Sequence, residues 1–257
     1  MCVAALAWHA HPRWRIVAIG NRDEFHDRPA APLARWDTDD LGATGIIAGR
    51  DLTAGGTWLG VSEAGRFGLV TNLRGFGERA PDRASRGQLV TDMLTGIGDF
   101  GDPATADLSA FNPFNLLVAD ARTARFLTNR PQPLRAALGH GIYGLSNGTL
   151  DEPWPKTLHL KAALSDWLGT GSYDIAPLFT ALASERIGDI GLHESEPSDI
   201  PAEPAETPPF IRNPVYGTRC STVIAIAHDG AGRIVERRFS ADGEATGETE
   251  VGFRWSS

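Results

Sequence analysis

Short apolar segments that occur in pairs are the feature that most restricts the fold of this chain. In each pair a few polar or turn-forming residues connect two segments of strand length, which is the pattern of an antiparallel hairpin. The first pair is apolar along its whole length, which favours burial on both faces of a central sheet. The four pairs are residues 2–8 with 15–20, 57–62 with 67–72, 114–120 with 124–129, and 221–227 with 233–239.

Helical segments lie between these hairpins. Residues 85–97 begin with Ser85 at a suitable capping position, and residues 156–169 place apolar side chains at helical spacing and end on glycine. Residues 174–186 form a third candidate. Antiparallel hairpins interspersed with helices predict an α+β fold whose sheets are covered by helices. We expect one domain over residues 1–257, with an irregular acidic, proline-rich loop at 194–209.

Composition excludes several classes of function. The 257 residues are 42% hydrophobic and 22% charged, as in ordinary globular proteins, and carry a formal net charge of −8 without a basic stripe. Nucleic acid and anionic membrane surfaces are therefore not expected as partners. No apolar run is long enough for a membrane span and no signal peptide is evident, so a cytoplasmic location is expected. The sequence does not indicate an oligomeric state.

Cysteine and histidine spacing gives no support for a metal or a cofactor. The two cysteines, Cys2 and Cys220, are too few for a disulfide framework, and the seven histidines follow no common ligand spacing. Glycine-rich nucleotide loops of the common patterns are also absent from the sequence. We therefore predict no metal site and no bound cofactor.

A polar tetrad, "NRDE" at residues 21–24, directly follows the second apolar segment. If the first hairpin turns between residues 11 and 12, Cys2 faces Asn21, and opposed residues point to one face. A shift of one residue would bring Arg22 to that face instead. In both registers charged groups lie beside a cysteine at position 2, which predicts a site rather than a surface turn.

Position 2 has chemical consequences for a cysteine. A small second residue permits removal of Met1, which leaves Cys2 with a free α-amine. The amine has a reference pKa of about 7.7–8.0 and the thiol of about 8.5, so the amine is able to act as base for its own thiol. A neighbouring arginine is expected to lower the thiol pKa. The alternative for Cys2 is a small buried apolar residue.

Several motifs in addition to the tetrad resemble one family. "NRDEFHDRP" is similar to the signature of the NRDE family, the family of transport and Golgi organisation protein 2 of animals. The matching segments cover nearly the whole chain in the order of that family. They are "GGTWLG" at 55–60, "SRGQLV" at 85–90, "FNLLVAD" at 114–120, "YGLSN" at 143–147, "PWPK" at 153–156 and "YGTR" at 216–219.

That family in turn resembles the N-terminal-nucleophile hydrolases of the cholylglycine hydrolase and penicillin acylase type. The resemblance implies a four-layer αββα sandwich of antiparallel sheets. Its site residues, carried over by motif, are Cys2 as nucleophile, Arg22 and Asp23 as the charged pair, Asn72 and Asn147 as oxyanion donors, and Arg219 as a late arginine. Arg22 and Asp23 are adjacent here, so both reach one site only if the strand ends or bulges there.

Alternatives stay open for the other candidates. Asn72 and Asn147 are each either an oxyanion donor or a turn former. A buried Arg219 needs a partner, for which the tetrad offers carboxylates. The candidates for substrate binding are Asn21, Glu24 and Trp58, with Trp58 also a candidate core residue.

The function implied by the resemblance is a cysteine amidohydrolase or acyltransferase that acts on a small non-peptide amide. A different class is a non-catalytic protein that binds or traffics haem or an acyl lipid in the same pocket, with Cys2 as a haem ligand. A third class is a partner-binding protein without pocket chemistry. The expected partner is thus a small amide or acyl molecule, with haem as the alternative.

Overall fold

Two antiparallel sheets form the centre of the protein. The computed structural model describes residues 2–36, 45–186 and 206–256. The six-stranded sheet has the order β10-β1-β2-β11-β12-β13 and the seven-stranded sheet runs from β3 to β9 in chain order. The strands of the first sheet are β1 (Cys2–Trp8), β2 (Trp14–Phe25), β10 (Gly141–Leu145), β11 (Tyr216–Ala227), β12 (Ala231–Phe239) and β13 (Ala245–Arg254). Those of the second are β3 (Ala30–Arg35), β4 (Ile46–Asp51), β5 (Leu59–Ser62), β6 (Arg66–Asn72), β7 (Phe114–Ala119), β8 (Ala124–Thr128) and β9 (Leu134–Ala137).

Helices cover the outer faces of both sheets. They are α1 (Arg86–Thr95), α2 (Pro155–Thr170) and α3 (Ala176–Leu182), with a short 3-10 helix at Leu108–Ala110. Among the described residues, no helix combines the length and the apolar character that crossing a membrane requires.

Side-chain alternation along the strands produces four layers. On β2, Ile16 packs in a core that also contains Leu117 of the second sheet, so this face lies between the sheets. Its neighbour Val17 packs in a different core together with Leu164 of α2. The outer face of the second sheet is covered by α1, whose Leu94 belongs to a third core. The order helix, sheet, sheet, helix confirms the predicted αββα sandwich.

The four predicted hairpins and three predicted helices are all present. Ser85 caps α1, and its hydroxyl accepts a hydrogen bond of 3.2 Å from the Gly87 amide. Strand β2 is longer than predicted and contains the whole polar tetrad. Most of the predicted loop at 194–209 lies outside the described residues, and residues 206–209 are neither helix nor strand.

Candidate active site

The register of the first hairpin decides which tetrad residue faces Cys2. Cys2 pairs with Arg22 and Trp8 with Ile16, so the hairpin is centred on residue 12. The prediction that Cys2 faces Asn21 is therefore wrong by one residue, and the alternative register is the one observed. Cys2 and Arg22 consequently share a face of the sheet, on the side between the two sheets.

Asn21 points to the opposite face. It is fully buried, and its amide donates hydrogen bonds of 2.8 Å to the Leu182 carbonyl and 2.7 Å to the Pro209 carbonyl. Its side-chain oxygen accepts a 2.6 Å hydrogen bond from the Ser221 hydroxyl. These bonds connect β2 to the helical layer, so Asn21 does not line the predicted site.

A cavity of about 550 Å³ opens at the end of the sandwich where β1 begins. This volume suits a small organic ligand, since such pockets measure about 300–1,000 Å³. The cavity brings together seven of the nine predicted site residues and leaves out Asn21 and Asn147. The seven are Cys2, Arg22, Asp23, Glu24, Trp58, Asn72 and Arg219.

Two adjacent residues, Arg22 and Asp23, both line this cavity although they point to opposite faces of β2. On β11, Thr218 pairs with Asp23 while Cys220 pairs with Arg22, which leaves Arg219 as an extra residue. Because β2 continues past the first residue of β1, Asp23 lies beside the start of β1 although it points to the helix side of the sheet. The extra residue lies on the partner strand β11, whereas β2 runs through the tetrad without one and ends at Phe25.

Asp23 is a buried carboxylate, with only 2% of its surface exposed. The Thr218 hydroxyl donates a 2.7 Å hydrogen bond to its Oδ1. Burial raises the pKa of Asp23 to about 6, against the opposing effects of the N-terminal amine charge, of the Thr218 hydrogen bond and of the charges on Lys156 and Arg22. Lys156, from the "PWPK" motif, is itself buried and was not singled out in the sequence.

The Cys2 thiol has a different proton affinity from the one expected. Burial raises its pKa above the ordinary thiol value, and the Asp23 carboxylate acts in the same direction. The charge of the N-terminal amine opposes this increase most, followed by the Arg22 charge and a hydrogen bond from the Asp23 backbone, but together they do not reverse it. The expected depression of the pKa is therefore wrong, because desolvation outweighs the neighbouring cation.

The pH dependence of Cys2 alkylation tests this assignment. Because the thiol pKa is raised, the thiolate is scarce below it, so iodoacetamide is expected to react more slowly at pH 7 than with an exposed thiol. The alkylation rate should continue to rise with pH above the range in which ordinary thiols ionise. Arg22→Ala should move this profile to higher pH and Asp23→Asn to lower pH. Fast alkylation of Cys2 at pH 6–7, located by peptide mass spectrometry, would contradict the assignment.

Two further residues complete a charged cluster around Arg22. Asp51 accepts from Arg22 Nη2 at 3.2 Å and from Arg28 Nε at 2.7 Å. Glu24 lies 3.8 Å from both guanidinium groups. Sequence reasoning missed Asp51 and Arg28, although Arg28 is inside the matched motif and Asp51 comes shortly before "GGTWLG". The cluster holds Arg22 in place on the cavity wall.

The two predicted oxyanion asparagines have different positions. Asn72 ends β6 and its exposed side chain lines the cavity. Asn147 is buried, does not line the cavity, and donates a 2.7 Å hydrogen bond from Nδ2 to the Asn72 carbonyl. Its neighbour Ser146 donates a 2.8 Å bond to the Cys2 carbonyl. The geometry therefore gives Asn147 a positioning role instead of the predicted contact with substrate.

Arg219 does not form the predicted ion pair with a tetrad carboxylate. Its Nη1 donates to three backbone carbonyls, those of Phe25 at 2.7 Å and of His26 and Arg28 at 3.1 Å. Burial lowers the pKa of Arg219, and the nearby Arg22 charge adds to this effect. The bulged arginine thus holds the turn that follows β2 while it lines the cavity.

A close approach between two glycines places the start of α1 at the cavity. A Cβ on Gly56 would lie 2.2 Å from the Gly87 carbonyl carbon, so glycine is required there. The Thr57 amide also donates a 3.3 Å bond to the Gly87 carbonyl. This contact between "GGTWLG" and "SRGQLV" brings Arg86, which has no role in the sequence analysis, into the cavity wall.

A family model and similar curated proteins point to the same family. A family model described as Transport and Golgi organisation 2 matches residues 1–241. The chain is 30% identical to the Transport and Golgi organization 2 homolog of Mus musculus and to that of Homo sapiens, over 92% of each chain. The Transport and Golgi organization protein 2 of Drosophila melanogaster is 28% identical over 63% of this chain and 62% of its own.

Two solved structures are similar at low identity. The Caenorhabditis elegans ortholog of N-acylethanolamine-hydrolyzing acid amidase aligns with a TM-score of 0.45 and 12% identity, over 87% of this chain and 92% of that one. A conjugated bile acid hydrolase from Clostridium perfringens aligns with a TM-score of 0.47 and 10% identity, over 99% of this chain and 97% of that one.

Proposed function

This chain belongs to the Transport and Golgi organisation 2 family, and we propose that it is a cysteine amidohydrolase or acyltransferase that acts on a small non-peptide amide. The observation that carries the proposal is the position of Cys2, on the wall of a 550 Å³ cavity beside Arg22, Asp23 and Asn72. The proposal includes a cytoplasmic location and removal of Met1, which exposes the amine of Cys2.

The proton affinities in the site define the first step. Burial keeps the Cys2 thiol protonated near neutral pH, so a base must take its proton as the sulfur attacks. The α-amine of Cys2, with a reference pKa of about 7.7–8.0, is partly unprotonated there and suits this role. Asp23, ionised above its pKa of about 6, is placed to orient that amine.

The reaction has two steps, acylation of Cys2 and release of the acyl group. The Cys2 Sγ–carbon bond forms as the thiol proton passes to the amine, and the C–N bond breaks as the amine returns this proton to the leaving nitrogen. Water or another acceptor then attacks the thioester, gives up its proton to the amine and regenerates the thiol. The Asn72 amide and backbone near Cys2 stabilise the oxyanion in both steps.

Intact-mass measurement tests the proposal directly. Protein purified from cells is expected to lack Met1, and incubation with acyl amides and thiol-reactive acyl probes should add one acyl group at Cys2. Asp23→Asn should reduce acylation, whereas Cys220→Ser should leave the single adduct in place because burial raises the pKa of Cys220 well above the ordinary thiol value. Complete retention of Met1 without any adduct would favour non-catalytic binding of haem or an acyl lipid.

A further inference from the structure

The cavity has a charge opposite to that of the whole chain. Nine arginines and four carboxylates line it, an excess of five positive charges, whereas the chain carries a formal net charge of −8. Positive charge is thus concentrated around Cys2, where low-dielectric walls strengthen its effect on a ligand.

Ion pairs neutralise only part of this positive charge. Arg22 and Arg28 share Asp51 and Glu24, as described above, and Arg238 lies 3.5 Å from Glu236. Arg74, Arg79 and Arg86 also line the cavity, and the charge of Arg79 acts on Arg86 at the start of α1. Within residues 2–36, 45–186 and 206–256, none of these three side chains forms an ion pair.

Arg86 is the most confined of the three. It is the first residue of α1, is only partly exposed, and donates a single described hydrogen bond of 3.1 Å from Nη1 to the Pro113 carbonyl. Burial and the Arg79 charge lower its pKa to about 10, while a Cys2 thiolate would raise it. A confined guanidinium without a carboxylate partner is well suited to bind an anion.

A second arginine has unused hydrogen-bonding capacity. Arg22 is 9% exposed, and its Nη1 has no hydrogen-bond partner among the described residues. Arg22 lines the same cavity, and its buried Nη1 adds a positive group that no carboxylate of the described residues satisfies by a hydrogen bond.

We propose that the substrate amide carries a carboxylate or a phosphate group, and that Arg86, with Arg74 and Arg79, binds this group while the carbonyl carbon lies at Cys2. The identity of the ligand as an amide rests on the function proposed above, whereas the anion preference does not. Arg86 contacts the acidic group and thereby determines specificity, and the tetrad side of the cavity holds the reacting atoms.

Two alkylating reagents of similar size test the anion preference. Iodoacetate is anionic and iodoacetamide is neutral. The Cys2 thiolate displaces iodide from both reagents, so a change in the thiol pKa cancels in the ratio of the iodoacetate rate to the iodoacetamide rate. We expect this ratio at pH 8.5 to exceed that for 2-mercaptoethanol by about three- to tenfold at low salt, and to fall as salt is added.

Variants connect the ratio to Arg86. Arg86→Ala is expected to remove most of the excess of the Cys2 rate ratio over that of 2-mercaptoethanol, and Arg86→Lys to keep it. Arg122 is an exposed arginine away from the cavity, so Arg122→Ala should leave the ratio unchanged. Should Arg86→Ala fail to fold, Arg79→Ala provides the same test at an exposed position. A wild-type ratio equal to that of the model thiol, or a ratio insensitive to Arg86, would overturn the proposal.

Protection experiments identify the anionic group. Inorganic phosphate or glutarate is added before iodoacetamide, and the rate of Cys2 alkylation is measured at constant ionic strength. Protection by phosphate that is lost in Arg86→Ala indicates a phosphate-bearing substrate, and protection by glutarate alone indicates a carboxylate. Protection by neither contradicts the proposal. Since none of these measurements needs turnover, absence of an acyl-enzyme leaves their outcome unaffected.

Discussion

Replacement of Cys2 by serine is expected to lower kcat/KM for the amide substrate by about 10⁴- to 10⁶-fold, the range seen when a catalytic nucleophile is lost. An amine of reference pKa about 8 is able to deprotonate a thiol, whereas a hydroxyl holds its proton far more tightly. The measurement is steady-state turnover of whichever amide acylates the wild type. Ligand affinity should change little.

The matched control is Cys220→Ser. Cys220 is 7% exposed and pairs with Arg22 from the other side, so it shares the environment of Cys2 without its position at the start of the chain. Its substitution should leave turnover within a few-fold of wild type. Equal losses in the two variants would show that the thiol of Cys2 has no special role.

Asn72→Ala is expected to lower kcat by about 10²- to 10³-fold, the usual loss for one oxyanion donor. The Asn72 amide acts on charge that develops only during the reaction, so KM and the pH profile of Cys2 alkylation should stay close to wild type. Single-turnover acylation followed by mass spectrometry measures the affected step directly.

Asn147→Ala serves as the comparison for Asn72→Ala. Asn147 does not line the cavity but donates a 2.7 Å hydrogen bond to the Asn72 carbonyl, so its loss should reduce both kcat and thermal stability. If Asn72→Ala weakens ligand affinity and leaves acylation unchanged, the cavity is a binding site and the carrier function is favoured.

The sequence predicts the central strands well and the outer strands poorly. Strand β1 and residues 16–20 of β2 are apolar because both faces are covered, and this local pattern suffices to identify the two strands. The hairpin pattern omits all four edge strands, of which β3, β9 and β13 are mostly exposed and β10 is partly buried, and it also omits the interior strand β4. Their pairing depends on neighbours far away in the chain, which local hydrophobicity does not report.

Most of the candidate residues line one cavity, but their geometry differs from the predicted one. A shift of one residue in the first hairpin exchanges Asn21 for Arg22 beside Cys2, and chain composition does not distinguish the two registers. Asp51 and Arg86 reach the cavity from segments remote in sequence, through an ion pair and a glycine contact. Such contacts follow from tertiary packing, so they could not be deduced from spacing.

The extra residue at Arg219 has a consequence for how this sequence can vary. Thr218 and Cys220 are both even-numbered, yet they pair with Asp23 and Arg22, which point to opposite faces of β2. The alternation of β11 therefore changes phase at position 219. The half of β11 in the core and the half beside the cavity therefore alternate in separate phases, so substitutions that repack one half leave the inward and outward assignments of the other unchanged.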